Sequence, residues 1–285
     1  MSLNSVIQKS GKMVNDNNLE QAQETTEQKK HYALVTGASS GIGYEYARSM
    51  ARRGYNLIIV SNEDEALHEK GEILRNDFNC EVVTITTDLG RGEAAKELYE
   101  ECVRRGLEVE VLINNAGVYH DRDFLKDSEA FNMLILNLHV TTPAMLMYYF
   151  GQDMVRRHKG YILNMSSITS DIAAQRLGTY GATKAFLKNF SRSVHIELYH
   201  EGVFVTAVRP GAVATTLYNI SARATKIGLT LGYITTPHKL AERGVKAMFR
   251  GKAQITPGFL NHVLLFLVAL LPTCGLRLIR RWKLF

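Results

Sequence analysis

The sequence predicts an α/β protein built on one doubly wound parallel sheet, and three observations carry that prediction. Short apolar runs alternate with helical patterns along most of the chain, the order that makes parallel strands joined by helical crossovers. A glycine-rich turn, Thr36-Gly-Ala-Ser-Ser-Gly-Ile-Gly43, lies between the first apolar run and the first helical pattern. Glycines, small hydroxyls, amides and one carboxylate gather at the downstream ends of the runs, where open α/β sheets bind their ligands.

Taken in order, residues 1–30 are rich in Asn, Gln, Glu, Lys and Thr and are expected to form a polar extension. The first strand is expected at Tyr32–Thr36 and the first helix from Tyr44 to Arg53, closed by Gly54. A second strand, Asn56–Ser61, completes a βαβ unit. In its turn, Gly37 permits the tight exit from the strand, while Gly41 and Gly43 let the helix N-terminus approach a pyrophosphate. The pattern continues with helix 65–76, strand 81–86 ending in Thr87-Asp88-Leu89, and helix 93–105. Strand 109–113 then runs into Asn114-Asn115-Ala116-Gly117. Helix 137–158, strand 160–165 ending in Ser166-Ser167, helix 176–200 and strand 203–208 ending in Arg209-Pro210-Gly211 follow. No Pro- or Ser-rich linker and no repeat interrupts the series, so a single domain is expected over 31–258, with an extension at 259–285.

Composition fits this and narrows the function. The 285 residues are 46% hydrophobic and 22% charged, ordinary for a globular protein able to bury a core. Cys80, Cys102 and Cys274 lack metal-ligand spacing, which fits a reducing compartment and no metal site. Residues 1–30 hold no apolar run of the secretory-signal kind, and a cytoplasmic location is expected. The net charge of +6 is unevenly placed: after Glu242 there is no acid, and eight Lys and Arg residues follow. Basic residues interleaved with stacking aromatics are missing, so no nucleic-acid groove is expected.

The chemistry is expected at Thr179-Tyr180-Gly-Ala-Thr-Lys184. On a helix, Tyr180 and Lys184 share one face, one turn apart. A free tyrosine keeps its proton to a pH of about 10. A fixed cation nearby favours the phenolate, and a phenol so tuned can exchange a proton with an alcohol or an oxyanion.

Together these residues resemble the short-chain dehydrogenase/reductase family over about residues 31–257. The likeness rests on Thr36–Gly43, Asn114-Asn-Ala-Gly117, Ser167 thirteen residues before Tyr180, Tyr180-x-x-x-Lys184 and Pro210-Gly-x-x-x-Thr215. It implies a Rossmann-type sheet and an NAD(P)(H)-dependent exchange between a secondary alcohol and a ketone. By resemblance, Tyr180 is the general acid/base, Lys184 supports it and bonds the nicotinamide ribose, and Ser167 donates to the substrate carbonyl. Ser166 is the neighbouring alternative, which the thirteen-residue interval disfavours. Asn137 matches the asparagine that supports a proton-relay water. The implied cofactor contacts are Gly37, Ser39, Ser40, Gly41, Ile42, Gly43, Ser61, Asn62, Asp88, Leu89, Asn115, Ala116, Gly117, Tyr180, Lys184, Pro210, Gly211, Val213 and Thr215, with Asp88 on the adenine amino group. Ser61-Asn62 supplies neither the acid typical of NAD sites nor the arginine typical of NADP sites, and its small polar groups lean towards NADP(H). Glu63 and Asp64 would repel a 2′-phosphate if they point inward.

Tyr180-Gly-Ala-Thr-Lys-Ala-Phe186, Phe190-Ser191 and Glu197-Leu198 resemble a branch containing hydroxysteroid dehydrogenases and long-chain 3-oxoacyl reductases, which implies an apolar substrate. Residues 217–250 are expected to cover that substrate, with Leu217, Tyr218, Ile227, Leu229 and Leu231 as apolar lining. The resemblance also implies a homodimer or homotetramer built on the two long helices. The apolar run Val263–Leu271 is shorter than the roughly 18–20 residues that cross a bilayer. Three readings of 259–285 stand: a buried helix or subunit contact, a peripheral membrane contact with Arg280, Arg281, Trp282 and Lys283 at the headgroups, or part of an entrance for a lipid-like substrate.

Overall fold

Runs that are apolar at most positions belong in strands covered on both faces, and the central strands here are of that kind, with Glu110 and Asn164 among their few buried polar residues. The structure is a computed structural model that describes residues 31–119, 121–173, 175–215, 226, 228–229, 232 and 234–270. The strands are β1 (Tyr32–Thr36), β2 (Asn56–Ser61), β3 (Val82–Thr86), β4 (Val109–Asn114), β5 (Gly160–Met165), β6 (Val203–Val208) and β7 (Gln254–Ile255). They form one sheet in the order β3-β2-β1-β4-β5-β6-β7, every pair parallel. β1 and β4 are buried throughout. Only the edge strands β3 and β7 are half-exposed.

The two-residue period of the strands divides the core. Ala33, Val35, Leu57, Ile59, Val111 and Ile113 point to one face. There they meet α1 (Gly41–Ala51), α2 (Asp64–Phe78) and α7 (Pro237–Phe249) through Tyr46, Met50, Leu67, Leu240 and Met248. Leu34, Ile58, Val60, Leu112 and Ile162 point to the other. They meet α3 (Ala94–Arg104) and α5 (Thr142–Arg156) through Leu98, Leu146 and Phe150. α6 (Gly178–Leu198) lies beside α4 (Glu129–Leu136), and packs on β5 and β6.

Three features differ from the sequence expectation, and a fourth narrows it. The helix expected from Asn137 begins at Glu129, where Ser128 accepts from the Phe131 N–H at 3.1 Å as N-cap. Asn137–Thr141 is a π-helical turn inside it, with the Thr142 N–H on the Asn137 carbonyl. The whole helix, Glu129–Arg156, is long and apolar enough to cross a bilayer, yet it packs against α3, α6 and the sheet. Residues 237–249 are not loose cover: Pro237 opens α7 behind the Thr236 cap, and Leu240, Ala241, Val245 and Met248 are buried in the core. α8 (Phe259–Ala269) forms but is not buried as a core helix, since Phe259 is 80% and Phe266 65% exposed. The extension 1–30, residues 216–225 and the tail 271–285, with Arg280, Arg281, Trp282 and Lys283, lie outside the described residues.

Candidate active site

The sheet order reverses between β1 and β4, and ligands bind such sheets at that crevice. A cleft of about 520 Å³ opens there. On its near side, the glycine turn is folded tightly enough that only glycines fit. Gly37 has φ +66°, and a Cβ on Gly43 would stand 1.9 Å from the Gly37 carbonyl oxygen. The turn is latched to the loop after β4: Thr36 Oγ1 accepts from the Asn115 and Ala116 N–H groups, both at 3.0 Å. Asn115 Nδ2 donates back to the Thr36 carbonyl at 3.0 Å. Ser40, in extended conformation ahead of α1, makes no side-chain cap, and the first turn of α1 carries no acid. The amides of that turn are therefore available to an anion.

Across the cleft, α6 sets Tyr180 and Lys184 on its inner face, where burial leaves them 6% and 5% exposed. Lys184 Nζ donates to the Met165 carbonyl at 2.9 Å and lies 5.6 Å from the centre of the Tyr180 ring. Burial lowers the Lys184 pKa from 10.5 to about 8. The two serines after β5 are separated by their bonds. Ser166 Oγ donates to the Lys184 carbonyl at 2.7 Å and holds α6 to the strand end. Ser167 Oγ accepts from the Thr169 N–H at 3.2 Å, an arrangement that leaves its own proton for a substrate oxygen.

The expected residues separate cleanly by position. Gly37, Ser39, Ser40, Gly41, Ile42, Gly43, Ser61, Asn62, Asp88, Leu89, Asn115, Ala116, Gly117, Ser167, Tyr180, Lys184, Pro210, Val213 and Thr215 all line the cleft. Asn137 and Gly211 are not among its lining residues. Asn137 Nδ2 donates to the Gly90 carbonyl at 2.9 Å, in the π turn behind the cleft. Gly211 lies under Asn261, whose Oδ1 would be 2.3 Å from a Cβ there. Leu217, Tyr218, Ile227 and Leu231 lie outside the described residues, and Leu229 is exposed. The ends of the intervening stretch meet beside the cleft, where Val213 pairs with Thr235 and the Ala214 N–H reaches the Thr235 carbonyl at 2.9 Å.

Two contributors, His139 and Asp171, have no mark in the sequence, and Glu63 has one that left its direction open. His139, on the π turn, is 1% exposed. Its Nε2 accepts from the Val118 N–H at 3.0 Å, which fixes the tautomer with the proton on Nδ1. Nδ1 lies 3.2 Å from Thr183 Oγ1, which donates to the Tyr180 carbonyl at 2.8 Å. Its ring stands edge-on to Tyr180, 5.7 Å between centres. Burial, with a further push from the Lys184 cation, holds its pKa well below the usual histidine value. Glu63 turns inward, its carboxylate accepting from Ser39 Oγ at 2.6 Å, while Ser61 Oγ donates to Ser39 Oγ at 3.0 Å. Asp64 turns away to bond Thr86. Asp171, in the turn after Ser167, pairs with Arg209 and Lys188 and ties that turn to β6 and α6.

The donor set fits a dinucleotide: a glycine cradle closed to side chains, open helix amides, and hydroxyl and amide groups along one wall. The sequence profile of the short chain dehydrogenase family matches residues 31–226. Hydroxysteroid dehydrogenase-like protein 1 of Gallus gallus is 29% identical over 237 residues, covering 82% of this chain and 70% of that protein. Very-long-chain 3-oxoacyl-CoA reductase of Mus musculus is 33% identical over 195 residues, 66% of this chain and 61% of that protein. A Homo sapiens relative at 29% identity, over 84% of this chain and 71% of its own length, is named Inactive hydroxysteroid dehydrogenase-like protein 1. Among solved structures, the short-chain dehydrogenase of Sphingobium yanoikuyae in complex with NADPH superposes with a TM-score of 0.71. It is 27% identical, over 85% of this chain and 96% of that one.

Proposed function

The chain belongs to the short-chain dehydrogenase/reductase family, and on that premise we propose that it interconverts a secondary alcohol and a ketone on an apolar, steroid-like or acyl-chain-like substrate. The observation that carries this reading is the division of labour around α6: Ser167, Tyr180 and Lys184 converge on the cleft, while Ser166 is tied to the Lys184 backbone. Bound NAD(P)(H) supplies or accepts the hydride. Gly37, Gly41 and Gly43 with the first amides of α1 would hold its pyrophosphate, Asp88 would serve the adenine and Lys184 the nicotinamide ribose.

During reduction, negative charge develops on the substrate oxygen. Ser167 donates a hydrogen bond to it and Tyr180 delivers the proton, two donors placed before the charge appears. The Lys184 cation stabilises the phenolate left behind. In oxidation the same groups work in reverse, with Tyr180 taking the alcohol proton. For the cofactor, Ser39, Ser40, Ser61 and Asn62 supply room and donors for NADP(H). Glu63 opposes it: a 2′-phosphate requires the carboxylate to leave Ser39, whereas the 2′-hydroxyl of NAD(H) can donate to it.

The apolar substrate is supported by the few charges in 217–236 and by the names of the mouse and chicken relatives. A small polar carbonyl substrate is the less supported alternative. Placement in the cytoplasm as a homodimer or homotetramer completes the reading. A non-catalytic dinucleotide-binding role is kept because the human relative is named inactive. A panel of steroids, 3-oxoacyl thioesters and small ketones, run with NADH and NADPH, separates these readings. Tyr180→Phe is expected to lower kcat by about 10²–10⁴ with cofactor affinity retained. Turnover close to wild type in that variant defeats the mechanism, and cofactor binding without turnover of any ketone favours the non-catalytic role.

A further inference from the structure

α8 is apolar on a face that nothing in the described domain covers. Phe259, Leu260, Val263, Phe266 and Leu267, with Leu270 just beyond, are all exposed. At 100° per residue they fall on a single side of the helix. The opposite side holds the helix in place: Asn261 is buried against Gly211, and its Nδ2 donates to the Pro257 carbonyl at 2.5 Å. α8 also packs on the Ile168–Asp171 turn, directly after Ser167. The exposed side is thus fixed at the rim of the catalytic cleft and is not a free tail.

The charge that follows α8 in the sequence selects the occupant. No acid follows Glu242, and Arg277, Arg280, Arg281 and Lys283 come within fourteen residues of Ala269. A second copy docked face to face would bring two acid-free, cationic segments together, which like-charge repulsion opposes. An anionic lipid surface accepts both parts, since the apolar side enters the acyl boundary and the cations meet the headgroups. We infer that α8 docks the protein on an anionic membrane surface with the active-site mouth facing the bilayer, so that an apolar substrate enters from the lipid. The clause on substrate rests on the function proposed above; the docking does not.

The test is sedimentation of the full chain with vesicles of phosphatidylcholine alone or mixed with phosphatidylglycerol, which requires no turnover. Wild type is expected to pellet at least several-fold more on the anionic vesicles. Phe266→Glu with Leu270→Glu, both exposed positions, is expected to lose about tenfold or more of that binding with circular dichroism unchanged. Arg280→Glu with Arg281→Glu is expected to abolish the preference for anionic lipid. Equal pelleting of wild type and the Phe266/Leu270 variant, or equal binding to both vesicle types, overturns the inference. So does a change of molecular mass in the Phe266/Leu270 variant without vesicles, which assigns the face to a second copy. If docking holds but no ketone is turned over, the function fails and the surface stands.

Discussion

Lys184 shows how one residue acquires chemistry from its surroundings. Its ammonium is out of water, with one backbone carbonyl as partner, and desolvation brings its pKa down to about 8. The charged form therefore prevails below that pH in the free enzyme and is lost above it. Because kcat/KM follows the ionisations of the free enzyme, ketone reduction is expected to fall as pH rises through about 8. Lys184→Met is expected to lack that limb, at a rate lower by about 10²–10⁴; an unchanged limb in this variant assigns the titration to another group. Glu63 acts on specificity instead. Glu63→Gln removes the carboxylate charge facing Ser39 and is expected to raise NADPH affinity about tenfold relative to NADH, read by dinucleotide fluorescence titration. An unchanged affinity ratio means that Glu63 does not read the 2′ position. Tyr180 and Lys184 were legible in the sequence because a helix brings i and i+4 together with no help from the rest of the chain. Glu63 was half legible: its distance from β2 could be counted, but the direction of its side chain depends on Ser39, 24 residues earlier.

At the scale of the element, the π turn Asn137–Thr141 is the part that the sequence concealed. The run Phe131–Leu138 has no helical periodicity of polar residues, and an extra residue in a turn leaves no composition signal. Its effect is local: Asn137 is directed to the Gly90 carbonyl and His139 to Val118 and Thr183. The turn thereby joins the loop after β4 to the backbone of Tyr180. His139→Leu removes both bonds at constant burial and leaves the Val118 N–H without its acceptor, a cost of about 1–3 kcal/mol in folding stability. The expected result is a fall in kcat larger than the change in KM, with the melting temperature lowered. His139→Asn keeps a polar group at the Nδ1 position beside Thr183 and is expected to recover part of kcat. Equal kcat in the Leu and Asn variants reduces His139 to a packing role. α7 was overlooked for another reason. Its apolar positions 240, 241, 245 and 248 follow a helical period, but Gly244 interrupts them and the weakly charged stretch 217–236 before the helix resembles a loop, so only contact with α1 decides the matter.

For the whole molecule, strand order and layer count were readable because each β-run is short, apolar and followed by a helix, and right-handed crossovers leave few ways to assemble them. What fills the outer surface was not readable, because exposure is a property of the assembled layers. Met133 and Leu136 on α4, Tyr148 on α5 and Ile196 on α6 are exposed to between 41% and 74%. Tyr148 and Ile196 lie on the two long helices where a homo-oligomer was expected, 137–158 and 176–200, Met133 and Leu136 on the turns that extend the first of them, and large apolar side chains exposed on one layer mark an association surface. An isologous contact repeats each of them across a twofold axis, so a single charge is felt twice. Ile196→Asp is therefore expected to lower the mass found by light scattering from a multiple of 32.0 kDa to 32.0 kDa. Folding should persist, because the side chain is 74% exposed in the single chain. A wild-type mass of 32.0 kDa removes the oligomer, and an Ile196→Asp protein that keeps a multiple mass moves its interface away from α6.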